Sequence, residues 1–402
     1  MKNNWNRTYY KLEITLLSPL SIGASDSTAT DKDVVLDSRG EPLIPATAVA
    51  GMFRALTPDN VADEVFGKAP KGKNDARIEA GLLFYDAQLK PDSGCHIATR
   101  DSVKLSAEKS AVEGAKFDFQ AVETGAVFVA YVEARSERSE VAVAEFEKLL
   151  CKRMRLGSKN TRGYGLLELC YHKKAFSPES LTEWLDFDMF SCDKWVPLAV
   201  GDGICGKETS IMLELSQNGG LSIRQYSTKP GEPDMAPLAL HDKTPVIPGT
   251  SWAGMFRGHM REWLNESELN SIFGYVDERK KSSAKSKVCF SESRLASTTP
   301  KQLTRNAIDR FTNGTKDGAL YTEVTIYGGK TTLEISLDKS IENSSNAVNA
   351  LLVTILDLHK GYAAIGGLTA VGRGLFRVDK VNGKPFSDDW DINTLREVIF
   401  HD

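Results

Sequence analysis

Residues Leu43–Arg54 read LIPATAVAGMFR, and Val246–Arg257 read VIPGTSWAGMFR, the same phrase returning without a gap 203 positions later. An echo of this kind, half a chain away, marks a tandem duplication of one folding unit. Within each copy the proline stops a strand, Thr47 or Thr250 supplies a helix cap, and Met-Phe falls inside the helix that follows.

The echo continues outward in both directions. Each half opens on alternating apolar residues, Lys11–Ile22 (KLEITLLSPLSI) and Ser210–Ile223 (SIMLELSQNGGLSI), which predict a half-buried strand. A polar, acidic loop follows, Gly23–Asp37 or Arg224–Asp242, and leads to the echoed phrase. Beyond its helix stand Val65-Phe66-Gly67 and Ile272-Phe273-Gly274, then the strand-like GLLFYDAQL (Gly81–Leu89) and KVCFSESRL (Lys287–Leu295). Arg100–Leu105 (RDSVKL) leads into EGAKFDFQAVETGAVF, and Arg305–Arg310 (RNAIDR) into DGALYTEVTIYGG, two strand pairs on glycine-containing turns. Helices are predicted over Glu140–Arg155 and Asn346–His359. Each half closes on a glycine-rich turn entering a strand, LGSKNTRGYGLLEL and IGGLTAVGRGLFRV. There Gly157, Gly163 and Gly165 match Gly366, Gly372 and Gly374 at a constant offset of 209.

The order in each half is strand, loop, helix, strand, strand pair, helix, glycine turn, strand. It predicts an α+β fold, a tandem duplication of ferredoxin-like (RNA-recognition-motif-like) domains with hairpin insertions. The first domain is expected over 1–172 and the second over 210–402, with 173–209 as a structured linker. A length of 402 residues suits two to three domains, each able to bury its own core.

A net charge of −4 excludes a global polycation, so any nucleic-acid surface must be local. Basic residues do gather at Lys68, Lys71, Lys73 and Arg77, at Arg279, Lys280, Lys281, Lys285 and Lys287, and at Lys152, Arg153, Arg155, Lys159 and Arg162. Recurrence in both halves suggests an RNA groove. No apolar run approaches the ~20 residues of a membrane span, and no signal core follows the N-terminus, so no membrane partner and a cytoplasmic setting are expected. The six cysteines are scattered without a CxxC pair and read as reduced thiols. Cys95-His96 offers two zinc ligands, with no obvious second pair.

Three signals converge on one family: the I-P-x-T-x-x-A-G-M-F-R helix start, the glycine turn ending in RGYG or GRG, and the R-x-x-[IV]-[DK]-[RL] hairpin. Together they resemble the RAMP superfamily of CRISPR effector proteins, above all the backbone subunits of type III effector complexes. The likeness covers almost all of both halves, so the chain looks like two such subunits fused. It implies guide-RNA and complementary target-RNA partners, and other effector subunits. It also implies a long hairpin, the thumb, that wedges into the guide–target duplex. An aspartate in the loop after the first strand promotes target cleavage at the resulting kink, with Mg2+ or another divalent cation.

In that family an Asp stands six residues before a second Asp, ahead of the I-P motif. Asp31, six before Asp37, fits this position and would hold the metal; Asp33 and Asp26 are alternatives in the same loop. In the second half the position six before Asp242 is Ala236, and the nearest acid upstream is Asp234. Read alone, each is a solvated loop carboxylate.

RNA scission needs a 2′-hydroxyl in line with the leaving 5′-oxygen, which A-form stacking prevents and a kink permits. A carboxylate can then accept the 2′ proton or hold a hydrated cation. The glycine turns can bring backbone N–H groups to phosphates, with Arg162 and Arg373 as clamps; tight turns packed on a helix are the plainer alternative. Arg54 and Arg257 in the echoed helices, and Arg100, Arg305 and Arg310 in the hairpins, are further RNA-binding candidates. Two rival functions remain open, a non-catalytic RNA-binding scaffold and a CRISPR-RNA-processing endoribonuclease. Processing enzymes usually carry a histidine general base near the N-terminus, and no histidine precedes His96.

Overall fold

A computed structural model describes residues 5–24, 29–70, 77–105, 111–135, 139–204, 208–226, 233–277 and 281–400. Contacts divide the chain into two units, Met1–Asn160 with Tyr164–Gly206, and Lys207–Asp402 with Thr161–Gly163.

The first unit runs β1 (Arg7–Leu16), α1 (Ala46–Arg54), α2 (Asp59–Phe66), β2 (Ala87–Leu89), β3 (Ile97–Leu105), β4 (Ala111–Val122), β5 (Val127–Arg135), α3 (Ser139–Lys148), β6 (Cys151–Arg155) and β7 (Leu166–Phe176). The second runs β8 (Glu208–Asn218), α4 (Gly249–Met260), α5 (Glu266–Phe273), β9 (Val288–Phe290), β10 (Thr299–Arg305), β11 (Tyr321–Tyr327), β12 (Lys330–Asp338), α6 (Ser345–Lys360) and β13 (Leu375–Val381).

Period-two burial fits β1 to the centre of its sheet: Tyr10, Leu12, Ile14 and Leu16 are buried and alternate with half-exposed Lys11, Glu13 and Thr15. It pairs antiparallel with β5 (Leu12 opposite Ala130) and with β7 (Leu12 opposite Tyr171), while β2 lies beyond β5. In the second unit β8 pairs antiparallel with β12 (Leu213 opposite Leu333) and β13, and β9 lies beyond β12. Both sheets thus place the last strand by the first, the first by the third and the third by the second. That is the ferredoxin-like order, present twice.

Helices cover one face of each sheet. In α1 Val49, Met52 and Phe53 are buried, and Phe53 meets Phe146 of α3 edge-on at 4.8 Å. In α4 the buried stripe is Trp252, Phe256 and Met260, four residues apart. The hairpins β3–β4 and β10–β11 are the insertions, paired from Ile97–Val122 and from Thr299–Tyr327 respectively.

Several local expectations are corrected. Pro45 and Pro248, not the threonines, occupy the N-cap positions of α1 and α4 without a side-chain cap bond, and Asp86 Oδ1 accepts the Ala46 N–H at 2.6 Å. Thr47 and Thr250 lie inside the first turn. The helix expected through Arg155 stops at Lys148, because Cys151–Arg155 pairs with β7 and buries Met154. GLLFYDAQL is two short strands, Leu82–Phe84 and Ala87–Leu89, rather than one. Cys151 is disulfide-bonded, against the reading of reduced thiols, whereas Cys95, Cys170, Cys192 and Cys289 are free.

Much of the segment read as a linker belongs to the first unit. Lys173–Phe176 completes β7, Val196–Leu198 pairs with it, and Gly201–Ile204 runs parallel to β6. Trp184, Phe187, Met189 and Trp195 pack with Tyr9 and Phe176, and Trp184 Nε1 donates to the Tyr9 hydroxyl at 2.9 Å.

Candidate nucleic-acid interface

The acidic loop after β1 is fastened to the hairpin strand β4. Lys32 O accepts the Gln120 N–H at 2.9 Å, and Val34 N–H donates to Gln120 Oε1 at 3.1 Å. Between these ties Asp31 and Asp118 bond reciprocally. Asp118 N–H donates to Asp31 Oδ2 at 3.0 Å, and Asp31 N–H donates to Asp118 Oδ1 at 2.9 Å. Asp31 is exposed at the base of the hairpin, and its Oδ1 accepts no hydrogen bond from the described residues.

Asp234 sits the same way in the second unit. Its Oδ2 accepts the Thr322 N–H of β11 at 2.8 Å, and its side chain is likewise exposed. The loops superpose bond for bond: Leu43 N–H to Val35 O and Val246 N–H to Leu238 O are both 3.0 Å. Asp37 N–H to Glu41 O at 2.8 Å likewise matches Leu240 N–H to Thr244 O at 3.0 Å. The counterpart of Asp37 is therefore Leu240, not Asp242. The spacing of acids is not the register; the offset of 203 is, and it carries Asp31 onto Asp234.

Asp33 has a different task. Its carboxylate accepts the N–H groups of Ala29 and Thr30 at 2.9 Å and the Thr30 hydroxyl at 2.7 Å, closing the turn before Asp31. Asp26 lies outside the described residues. Among the described residues no group of three or more His, Cys, Asp and Glu could hold a metal ion.

Behind each hairpin, equivalent positions are filled by opposite chemistry. In the first unit Phe119 meets Tyr164 edge-on at 5.6 Å, and Lys159 Nζ lies 3.3 Å over the Phe119 ring. In the second, Glu323 and Arg373 occupy the Phe119 and Tyr164 positions as a buried bidentate pair, at 3.0 and 2.6 Å. Arg305 Nε adds a contact to Glu323 at 3.0 Å. The Arg373 hydrogen bonds, aided by the charges of Arg305 and Arg224, hold the Glu323 carboxyl below the usual range. The reading of Arg373 as a phosphate clamp is thereby corrected, since its guanidinium faces a carboxylate indoors. Its counterpart by register is Tyr164, and Arg162 is exposed.

All six turn glycines have positive φ, from 74° to 90°. A Cβ on Gly165 or Gly374 would lie 1.8 Å from the carbonyl oxygen of Leu156 or Ile365, so only glycine fits there. Gly165 and Gly374 donate their N–H groups to Pro19 O and Gly220 O, each at 2.8 Å. Ser158 and Gly367 donate to Ser21 O and Ser222 O, each at 2.9 Å. These four amides lock the turn against the end of the first strand, so the N–H groups of Gly165 and Gly374 are taken by backbone carbonyls rather than presented to a phosphate.

Arg54 and Arg257 are also structural. Arg54 reaches Gly67 O at 3.1 Å and Asp63 at 2.9 Å; Arg257 reaches Gly274 O at 3.5 Å, Glu266 and Asn270 at 2.7 Å. Each ties the echoed helix to the end of the next one. Arg100 is buried opposite Phe119, and its counterpart is Leu303 rather than Arg305. Lys68 pairs with Asp63 at 3.0 Å, while Lys281, Lys285 and Lys287 are exposed; Lys71, Lys73, Arg279 and Lys280 lie outside the described residues.

The tip of the second hairpin is ordered by its own hydrogen bonds. Asp309 Oδ1 accepts the Phe311 and Thr312 N–H groups at 2.9 Å. Those bonds hold the Asp309 carboxyl below its ordinary range. The tip presents Phe311 at 92% exposure, beside exposed Arg310, Ile308 and Leu320. Neither Phe311 nor Asp118 was singled out by sequence: the offset of 203 carries Asp118 onto Tyr321, whereas its structural counterpart is Thr322.

Two ferredoxin-like domains, each with a long hairpin and a carboxylate at its base, define a class of duplicated hairpin-bearing proteins. The chain belongs to the RAMP superfamily, whose profile matches residues 13–168 and 197–377. Among solved structures, a chain of the Type III-B Cmr-beta bound to cognate target RNA is 11% identical at a TM-score of 0.35, covering 40% of this chain and 96% of that one. A chain of Type III-B Cmr-beta in the apo state is 12% identical at a TM-score of 0.34, covering 42% and 98%. No curated protein matches the chain. Among the described residues no helix is long and apolar enough to cross a membrane.

Proposed function

We propose that the protein is a backbone subunit of a type III CRISPR ribonucleoprotein that binds guide RNA and cleaves complementary RNA at two positions, one per repeat, through Asp31 and Asp234. The observation that carries this reading is their matched placement. Each is exposed at a hairpin base, with Oδ2 anchored by a strand N–H and Oδ1 open among the described residues.

In this reading the hairpin enters the guide–target duplex and opens one base step, freeing the sugar there for in-line attack. Phe311, its backbone N–H held by Asp309 and its ring exposed, is the wedge of the second hairpin. The anchored carboxylate accepts the 2′-hydroxyl proton through its open oxygen while the strand N–H keeps it aimed. A single carboxylate with RNA phosphates and water suits Mg2+, which retains most of its waters. Asp31 and Asp234 would hold it, and it would supply positive charge against that developing on the phosphorane.

The test is a complex reconstituted with guide and an end-labelled complementary RNA. Asp31→Ala should abolish one cut and Asp234→Ala another, each leaving its neighbour intact. Persistence of both cuts in the double variant would leave an RNA-binding scaffold; cutting of precursor guide RNA by the chain alone would make it a processing enzyme.

A further inference from the structure

We propose that Asp118 is a positioning residue for Asp31, present in the first repeat and absent from the second. This inference rests on the cleavage reading above. The anchor shared by both repeats is a backbone N–H, which any residue but proline supplies at position 118 or 322. The first repeat adds a bond that depends on the side chain, from Asp31 N–H to Asp118 Oδ1 at 2.9 Å.

Asp118 thereby grips Asp31 at two points, its carboxylate oxygen and its own amide, which fixes the backbone and the carboxylate together. At the matching place Thr322 turns its hydroxyl toward Thr304, 3.3 Å away across the hairpin. The loop around Asp31 is exposed, so an amide released from Asp118 would bond to water and the carboxylate would lose its fixed bearing. Preorganisation of this kind acts on the chemical step and leaves binding of the distant parts of the RNA alone. The role needs an acceptor oxygen at residue 118, not a charge.

The experiment uses the reconstituted complex with its guide and the labelled RNA. Asp118→Ala should slow the Asp31-dependent cut by about tenfold, the size of one hydrogen bond, with RNA affinity and the Asp234-dependent cut unchanged. Asp118→Asn, which keeps the acceptor, should restore the rate to within about twofold. An unchanged rate in the alanine variant overturns the proposal, as does an asparagine variant as slow as alanine, which would mean the charge itself acts. Hydrogen exchange at the Asp31 amide in the free full-length chain reads the contact without assembly: protection in the wild type and Asp118→Asn, lost in Asp118→Ala, is expected. Fast exchange in the wild type refutes it. If Asp31→Ala retains its cut, the cleavage reading fails whatever Asp118 does.

Discussion

The pair Glu323–Arg373 invites a decisive swap, because the first repeat already shows the apolar solution at the same two positions. Glu323→Gln removes a carboxylate that is 1% exposed and leaves Arg373, 5% exposed, without its bidentate partner. Breaking a buried pair on one side costs about 3–5 kcal/mol, because the remaining charge stays desolvated. For a unit of this size each kcal/mol is about 2–4 °C, so the transition of the second unit should fall by about 6–20 °C. Glu323→Phe with Arg373→Tyr copies Phe119 and Tyr164 and should recover most of the loss, since replacing both buried partners by packed rings leaves no buried orphan charge, Arg305 being 42% exposed and open to water. The pH dependence follows from the depressed Glu323 carboxyl. Its stabilisation is complete above the unfolded value of about 4.3 and disappears as pH falls through the lower folded value. Calorimetry of the full-length chain between neutral and acid pH is the assay. The wild type should lose more stability to acid than the double variant. A double variant no better than either single change would refute the claimed equivalence of the two positions.

Gly374→Ala should destabilise the chain by more than the ~1–3 kcal/mol of its left-handed backbone, since a carbonyl blocks its Cβ; Gly372→Ala, with nothing within 4 Å, should cost only the backbone part. Urea midpoints compare the two, and equal losses would discount the clash. Phe311→Ala should leave stability within about 0.5 kcal/mol yet weaken target-RNA engagement by about 1–3 kcal/mol, the worth of one stacked base. Unaltered affinity would remove Phe311 from the wedge. Arg54→Ala should cost no more than about 1 kcal/mol of stability, its ion pair being solvent-exposed, while the salt dependence of RNA binding keeps its slope, whereas a phosphate contact would reduce that slope by about 0.7.

The duplicated architecture was legible because it is written in short-range patterns: a repeated helix start, alternating strands and glycines at a fixed offset. Asp31 was singled out only through the family resemblance, by its six-residue spacing to Asp37. What escaped were pairings between distant residues. Glu323 and Arg373 lie fifty positions apart, and nothing local in GRG says that its arginine turns inward. Cys151–Arg155 continued a helical pattern and became a strand only because β7 offered an edge. Asp234 was sought by counting between acids, although the echoed phrase already held the right register. The aromatic residues of 173–209 lacked periodicity, so their destination could not be read from spacing.

That aromatic segment bears on how the chain must be made. Synthesis releases the N-terminus first, and domains usually fold as units as they emerge. Here Tyr9 and Phe176 stay uncovered until Trp184, Phe187 and Trp195 have cleared the ribosome. A truncation at residue 172 would strand that oily surface in water and remove the end of β7 as well, so an expressible first half should run to about residue 204. The first repeat is born unfinished, and its closing piece arrives only as translation of the second begins.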